Sequence, residues 1–93
     1  MELIDGQDEI EYIQDNIQFN HDIILSTELI EDTINGYIKY VNMNPGVFIS
    51  DRDAVYYIIG YLVSLGYKNI EQDDIYYIIE YDFYYLESKG LIT

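Results

Sequence analysis

Asp53-Ala-Val-Tyr-Tyr-Ile-Ile-Gly-Tyr61 and Asp73-Asp-Ile-Tyr-Tyr-Ile-Ile-Glu-Tyr81 are two versions of one segment, offset by 20 residues and identical at six of nine positions. Around the first, Val55, Ile58, Ile59, Leu62 and Val63 recur three and four apart; around the second, Ile75, Ile78, Ile79, Phe83 and Leu86 do the same. That spacing is one face of a helix. Ser50, with Asp53 three residues on, resembles a capping box and opens the third helix of the chain. Leu65 followed by Gly66 closes it with glycine in the left-handed position. The fourth helix begins near Asn69 to Glu71 and runs to about Ser88, with Gly90 beyond it. The short link from Gly66 to Ile70 makes helices three and four an antiparallel hairpin. The repeat is a duplicated helix or a convergence within a small alphabet of Ile and Tyr. Either origin leaves two matching faces, and the match breaks where Leu62 meets Asp82.

Upstream, Ile10, Ile13 and Ile17 mark a helix from about Gln7 to Phe19, with Asn20 as its stop. Asp8 and Glu9 lie in its first turn, where the helix dipole favours anions. Asp8, Glu11 and Asp15 fall on the side opposite the isoleucines, with Tyr12 and Phe19 near that acidic side. Residues His21 to Ser26 form a link, with Ile23 to Leu25 as linker or helix start; two short strands, Ile23–Leu25 paired with Val47–Ile49, are the alternative. Ser26 or Thr27 caps a second helix running to about Met43. Its expected buried face is Ile30, Ile34, Tyr37, Ile38 and Val41, with Glu28, Glu31, Asp32, Asn35 and Lys39 outside. Gly36 weakens this helix by roughly 1 kcal/mol relative to Ala, and Asn44-Pro45-Gly46 ends it. The expected fold is all-α: one domain over residues 1–93, a small four-helix bundle.

The chain has 93 residues, 18 acids, four bases and a formal charge of −14, with apolar residues at 49%. The apolar fraction excludes a disordered acidic tail. The charge argues against direct contact with nucleic acid or anionic lipid. No apolar run approaches a membrane span, the N-terminus lacks the basic-then-apolar pattern of a signal peptide, and a cytoplasmic location is expected. There are no cysteines, hence no disulfide and no thiolate metal site. Ile (17) and Tyr (12) are abundant, as AT-rich codons would make them, yet Lys occurs only at 39, 68 and 89. Codon bias should have supplied lysine too, so either cations are excluded for a physical reason or acidity serves solubility. Residues 1–38 carry ten acids and no base.

Enzyme chemistry has thin support. Asp82 falls within the fourth helix's apolar stripe, where a lone carboxylate is costly and its pKa rises. It reads as a catalytic acid or base, or as a carboxylate bonded to a tyrosine hydroxyl, to Arg52 or to a helix N-terminus; no second carboxylate or nucleophile accompanies it in the sequence pattern. His21, the single histidine, reads as a helix-flanking surface or capping residue. Asp5 to Glu11 and Asp51 to Asp53 lack the calcium-loop pattern, and no phosphate-binding glycine loop occurs. No catalytic residue, cofactor or metal is assigned, and the chain is read as a non-enzyme.

Binding residues are better supported. Acids three or four apart on a helix lie about 5–6 Å from one another, comparable in scale to phosphates along a nucleic-acid strand. Asp8, Glu11 and Asp15, joined by Glu28, Glu31 and Asp32, therefore form a candidate partner surface with Tyr12 and Phe19 as anchors; the alternative is a solvated face. Tyr77, Tyr81, Tyr84 and Tyr85 give the fourth helix more aromatic surface than a small bundle readily covers, a candidate homodimer face. The size, the acid and tyrosine richness and the ending Tyr84-Tyr-Leu-Glu-Ser-Lys-Gly-Leu-Ile92 resemble small acidic helical proteins of phages and prophages of low-GC Gram-positive bacteria. That resemblance implies a protein that binds and inhibits a host enzyme, nucleic-acid-handling proteins and CRISPR-type defence nucleases among them. The expected function is a DNA-mimicking inhibitor that blocks a basic site on such a protein; the alternative is a structural or adaptor protein that homodimerises through tyrosines.

Overall fold

The computed structural model describes residues 6–46 and 50–90. Four helices follow one another, α1 (Gly6–His21), α2 (Thr27–Met43), α3 (Asp51–Ser64) and α4 (Gln72–Ser88). Serine starts the middle two: Ser26 Oγ accepts the Leu29 N–H at 3.1 Å, and Ser50 Oγ accepts the Asp53 N–H at 3.2 Å. Of the two candidates at the start of α2, Ser26 is thus the cap. Helix α1 runs past Asn20 to His21 and ends where Asp22 turns left-handed at φ 56°. At the end of α3 the Tyr67 N–H reaches Leu62 O and the Gly66 N–H reaches Val63 O. That bond pair needs a left-handed residue, and Gly66 supplies it at φ 102°. Ile23–Leu25 is irregular link, with Leu25 buried and its carbonyl held by Gln14 Nε2 at 2.7 Å. Val47–Ile49 lies outside the described residues, and among those described no strand occurs.

The helices pack as an all-α bundle around Ile10, Ile13, Ile17, Leu25, Ile30, Val55, Ile58, Leu62, Ile75 and Ile78. The closest packings are α2 on α3 and α1 on α4; α3 and α4 pair as a hairpin, and α1 does not reach α3. The sequence repeat is also a repeat in packing. Val55 and Ile75, Ile58 and Ile78, Leu62 and Asp82 are buried at equivalent positions. The equivalent tyrosines each grip a neighbouring helix. Tyr57 meets Tyr40 and Met43, and Tyr61 packs on Gly36, all of α2. Tyr77 stacks on His21 of α1, and Tyr81 bonds Asn20 and His21 there.

Three expected faces are corrected. On α2 the buried side is Ile30, Thr33 and Gly36, while Ile38 (51%) and Val41 are exposed. The helix turns because the Tyr61 ring fills the gap that Gly36 leaves: a Cβ there would stand 2.9 Å from Tyr61 Cδ2. On α3, Ala54 is buried and Val63 exposed. On α4, Asp82 and Tyr85 are buried and Phe83 is 52% exposed, because α1 lies along the tyrosine side and turns the helix toward itself.

Two glycine-to-alanine changes separate helix propensity from packing. Gly60, in α3, has open space where a Cβ would stand, so Gly60→Ala is expected to stabilise the fold by about 0.5–1 kcal/mol. Gly36→Ala gains the same propensity but displaces Tyr61, and overpacking of that kind costs about 1–3 kcal/mol. Urea unfolding should show the two changes with opposite signs.

Candidate functional site

With Ile10, Ile13 and Ile17 buried, Asp8, Glu11 and Asp15 all stand exposed on the far side of α1. Glu11 Oε1 accepts Gln7 Nε2 at 3.1 Å. Phe19 continues this side at 88% exposure, in a shallow depression with Asp15, Gln18 and Asp22. Glu28 and Glu31 are exposed on α2. Two residues of the expected partner surface are engaged within the chain instead. Asp32 is half-buried and accepts the Tyr67 hydroxyl at 2.7 Å. Burial, then that bond, then the charges of Asp32, Glu28 and Glu31 push the Tyr67 hydroxyl up to about 12. Tyr12 leans toward α4, its ring 5.3 Å from that of Tyr85, so the aromatic anchor beside the acids is Phe19 alone.

Three of the four cations lie over tyrosine rings: Lys39 on Tyr61, Arg52 on Tyr56 and Lys89 on Tyr85, at 5.5–5.6 Å from the ring centres. Carboxylates meanwhile take tyrosine hydroxyls, Asp32 from Tyr67 and Glu80 from Tyr84 at 3.2 Å.

The candidate dimer face changes as well. Tyr85 is 4% exposed, Tyr77 lies under His21 with ring centres 3.9 Å apart, and Tyr81 is bonded to α1. Only Tyr84 of the four is exposed. The other three do for α4 and α1 what Tyr57 and Tyr61 do for α3 and α2. His21 is correspondingly half-buried in that aromatic seam, not on the surface.

Asp82 is 8% exposed, and its carboxyl group neighbours that of Glu9 on α1. The expected partners do not hold it: Arg52 lies over Tyr56, and the second carboxyl group thought missing is present. Burial first, then a hydrogen bond with Glu9 and its charge, raise the Asp82 pKa to about 8. Asp82 Oδ1 is buried without a hydrogen-bond partner. Tyr37 of α2 feels both Asp82 and Asp51 of α3; its hydroxyl is raised by burial and then by those two charges. Glu9 sits next to Ile10, on the flank of the buried face of α1, which was the available sign that it turns inward. That it meets Asp82, 73 residues on, is set only by how α1 lies on α4.

No group of three His, Asp or Glu side chains among the described residues is placed to hold a metal ion, and none of their helices is long and apolar enough to cross a membrane. No family model matches this chain, and no curated protein or solved structure matches it.

The carboxyl pair predicts a pH dependence of stability. Between the unfolded carboxyl value, about 4, and about 8, the folded chain holds a proton that the unfolded chain releases. This contribution is complete at the acid end and is lost as pH rises through about 8. The wild type should therefore melt lower at pH 8.5 than at pH 5.5. Asp82→Asn should flatten that slope and melt several degrees higher at pH 8.5, about 1 kcal/mol corresponding to 4–8 °C for a domain this size. Thermal denaturation of both proteins at the two pH values checks it; parallel slopes would refute the assignment.

Proposed function

We propose that this chain is a non-enzymatic inhibitor that occupies the basic nucleic-acid site of a partner protein, as the resemblance to small acidic phage proteins implies. The observation that carries this reading is the exposed row Asp8, Glu11 and Asp15 with Phe19 at its end. Glu28 and Glu31 add exposed charge on the next helix. A basic groove built for phosphates would meet such a row with complementary potential, which speeds encounter and makes it salt-dependent. Phe19 supplies the apolar anchor that a purely electrostatic contact lacks. The adaptor reading, a homodimer through Tyr77, Tyr81, Tyr84 and Tyr85, is weaker because α1 already covers three of these. The partner on this reading is a nucleic-acid-handling or defence nuclease in the cytoplasm of a host cell.

The test uses the triple change Asp8→Asn, Glu11→Gln, Asp15→Asn. Wild-type chain should capture a nucleic-acid-binding protein from a low-GC Gram-positive lysate at about 50 mM salt, release it by about 300 mM, and compete with labelled duplex for it. The triple variant should lose at least about tenfold in affinity. Capture indifferent to salt and to the triple change would remove the reading.

A further inference from the structure

A cavity of about 560 Å³ opens between Tyr37 of α2, the start of α3 at Asp51, and the outer side of α4. Its floor is apolar and aromatic: Tyr76, Ile79, Phe83 and Leu86. Three carboxyl groups line it, with Asp51 and Glu80 exposed and Asp82 buried. Asp82 Oδ1 has no hydrogen-bond partner. Of the chain's own cations, Arg52 lies over Tyr56, close enough to Tyr76 of the floor for their charges to interact, and Lys89 lies over Tyr85; neither lines the cavity.

A buried acceptor without a partner is a polar group whose desolvation has not been offset. An apolar floor ringed by carboxylates and tyrosine faces is complementary to one class of ligand, a cation on an apolar body. The volume lies within the roughly 300–1,000 Å³ of small-molecule sites, so it accommodates a whole molecule and not merely the tip of one side chain. We propose that this cavity binds a small organic cation, an ammonium group on an aryl or alkyl body, with the ammonium directed to Asp82 between Asp51 and Glu80 and the body resting on Ile79, Phe83 and Leu86. The site is separate from the acid row of α1 and stands or falls independently of it.

Binding a cation favours the ionised carboxylate, so occupation displaces a proton from Asp82. Glu9 of α1 acts on Asp82 and Tyr37 of α2 feels its charge, while Asp51 of α3 and Glu80 of α4 share the cavity wall with it. None of them is cationic, and each therefore adds to the attraction or is neutral. Affinity is expected to rise between about pH 5 and pH 8 and binding to release a proton, read as a buffer-dependent heat.

The experiment titrates the full chain with phenethylammonium and, in parallel, its neutral analogue 2-phenylethanol, followed by calorimetry and by backbone amide NMR. The expected result is saturable binding with shifts confined to residues 76–86, Tyr37 and Asp51, and affinity at least about tenfold weaker for the alcohol. Asp82→Asn should lose about tenfold or more while its thermal melt stays cooperative, and Phe83→Ala, at an exposed position, should weaken binding without disturbing the fold. No saturation up to about 10 mM, equal binding of amine and alcohol, or full affinity in Asp82→Asn would overturn the proposal. Shifts running along Asp8, Glu11 and Asp15 instead would also overturn it, as diffuse attraction of cations to the acidic helix. N-acetyl-lysine amide binding as tightly as phenethylammonium would overturn the choice of a small molecule in favour of an inserted side chain.

Discussion

Eighteen acids and four bases must share one small fold, and most carboxylates therefore find support other than a cation. This constraint organises the molecule. Exposed acids remain in water, where the dielectric tolerates them. Half-buried Asp32 takes a tyrosine hydroxyl, and Glu80 takes another at the surface. Asp82, the one buried carboxyl group among the described residues, has its pKa pushed up to about 8 by burial and by the neighbouring Glu9. Tyrosine serves both signs: its hydroxyl donates to carboxylates while its ring face receives Lys39, Arg52 and Lys89. The abundance of tyrosine and the scarcity of lysine are thus two sides of one arrangement.

The same residue builds the seams between helices. In each copy of the repeated segment one tyrosine pair turns to the neighbouring helix, α2 for the first copy and α1 for the second. Isoleucine and valine fill the centre at equivalent positions. The copies differ at the third of their shared buried positions, Leu62 in one and Asp82 in the other. Leucine there contributes burial at no electrostatic cost. Aspartate contributes a proton-dependent bond to α1 and leaves one oxygen without a partner, which weakens the bundle as pH rises. A residue that a core alone would not select lines the cavity beside Tyr37.

Two surfaces follow, built on different principles. The outer side of α1 is a convex row of carboxylates with one protruding aromatic ring, suited to a large basic partner. The outer side of α4 is a concave, mostly apolar space in which charge is confined to three carboxyl groups, suited to a small cation. The tyrosine-rich side of α4 is neither, since it is the packing surface for α1.

Periodicity and capping residues determined the helices. Ser50, Ser26, Gly66 and the isoleucine spacing act within a turn or two, so local sequence was enough to place all four helices, the hairpin and the outward direction of Asp8, Glu11 and Asp15. Which flank of each helix is buried was decided by tertiary contact. Ile38 and Val41 lost their places to Thr33 and Gly36 because Tyr61 approaches the α2 backbone at a glycine. Phe83 lost its place to Tyr85 because α1 covers one side of α4 and not the other. The Glu9 to Asp82 contact, the enclosure of Tyr77 and Tyr81, and the cavity beside Tyr37 join residues between 14 and 73 positions apart. An amphipathic pattern specifies that a helix has an inner face; the angle at which two helices cross, set by side-chain volumes on both, specifies which residues that face contains.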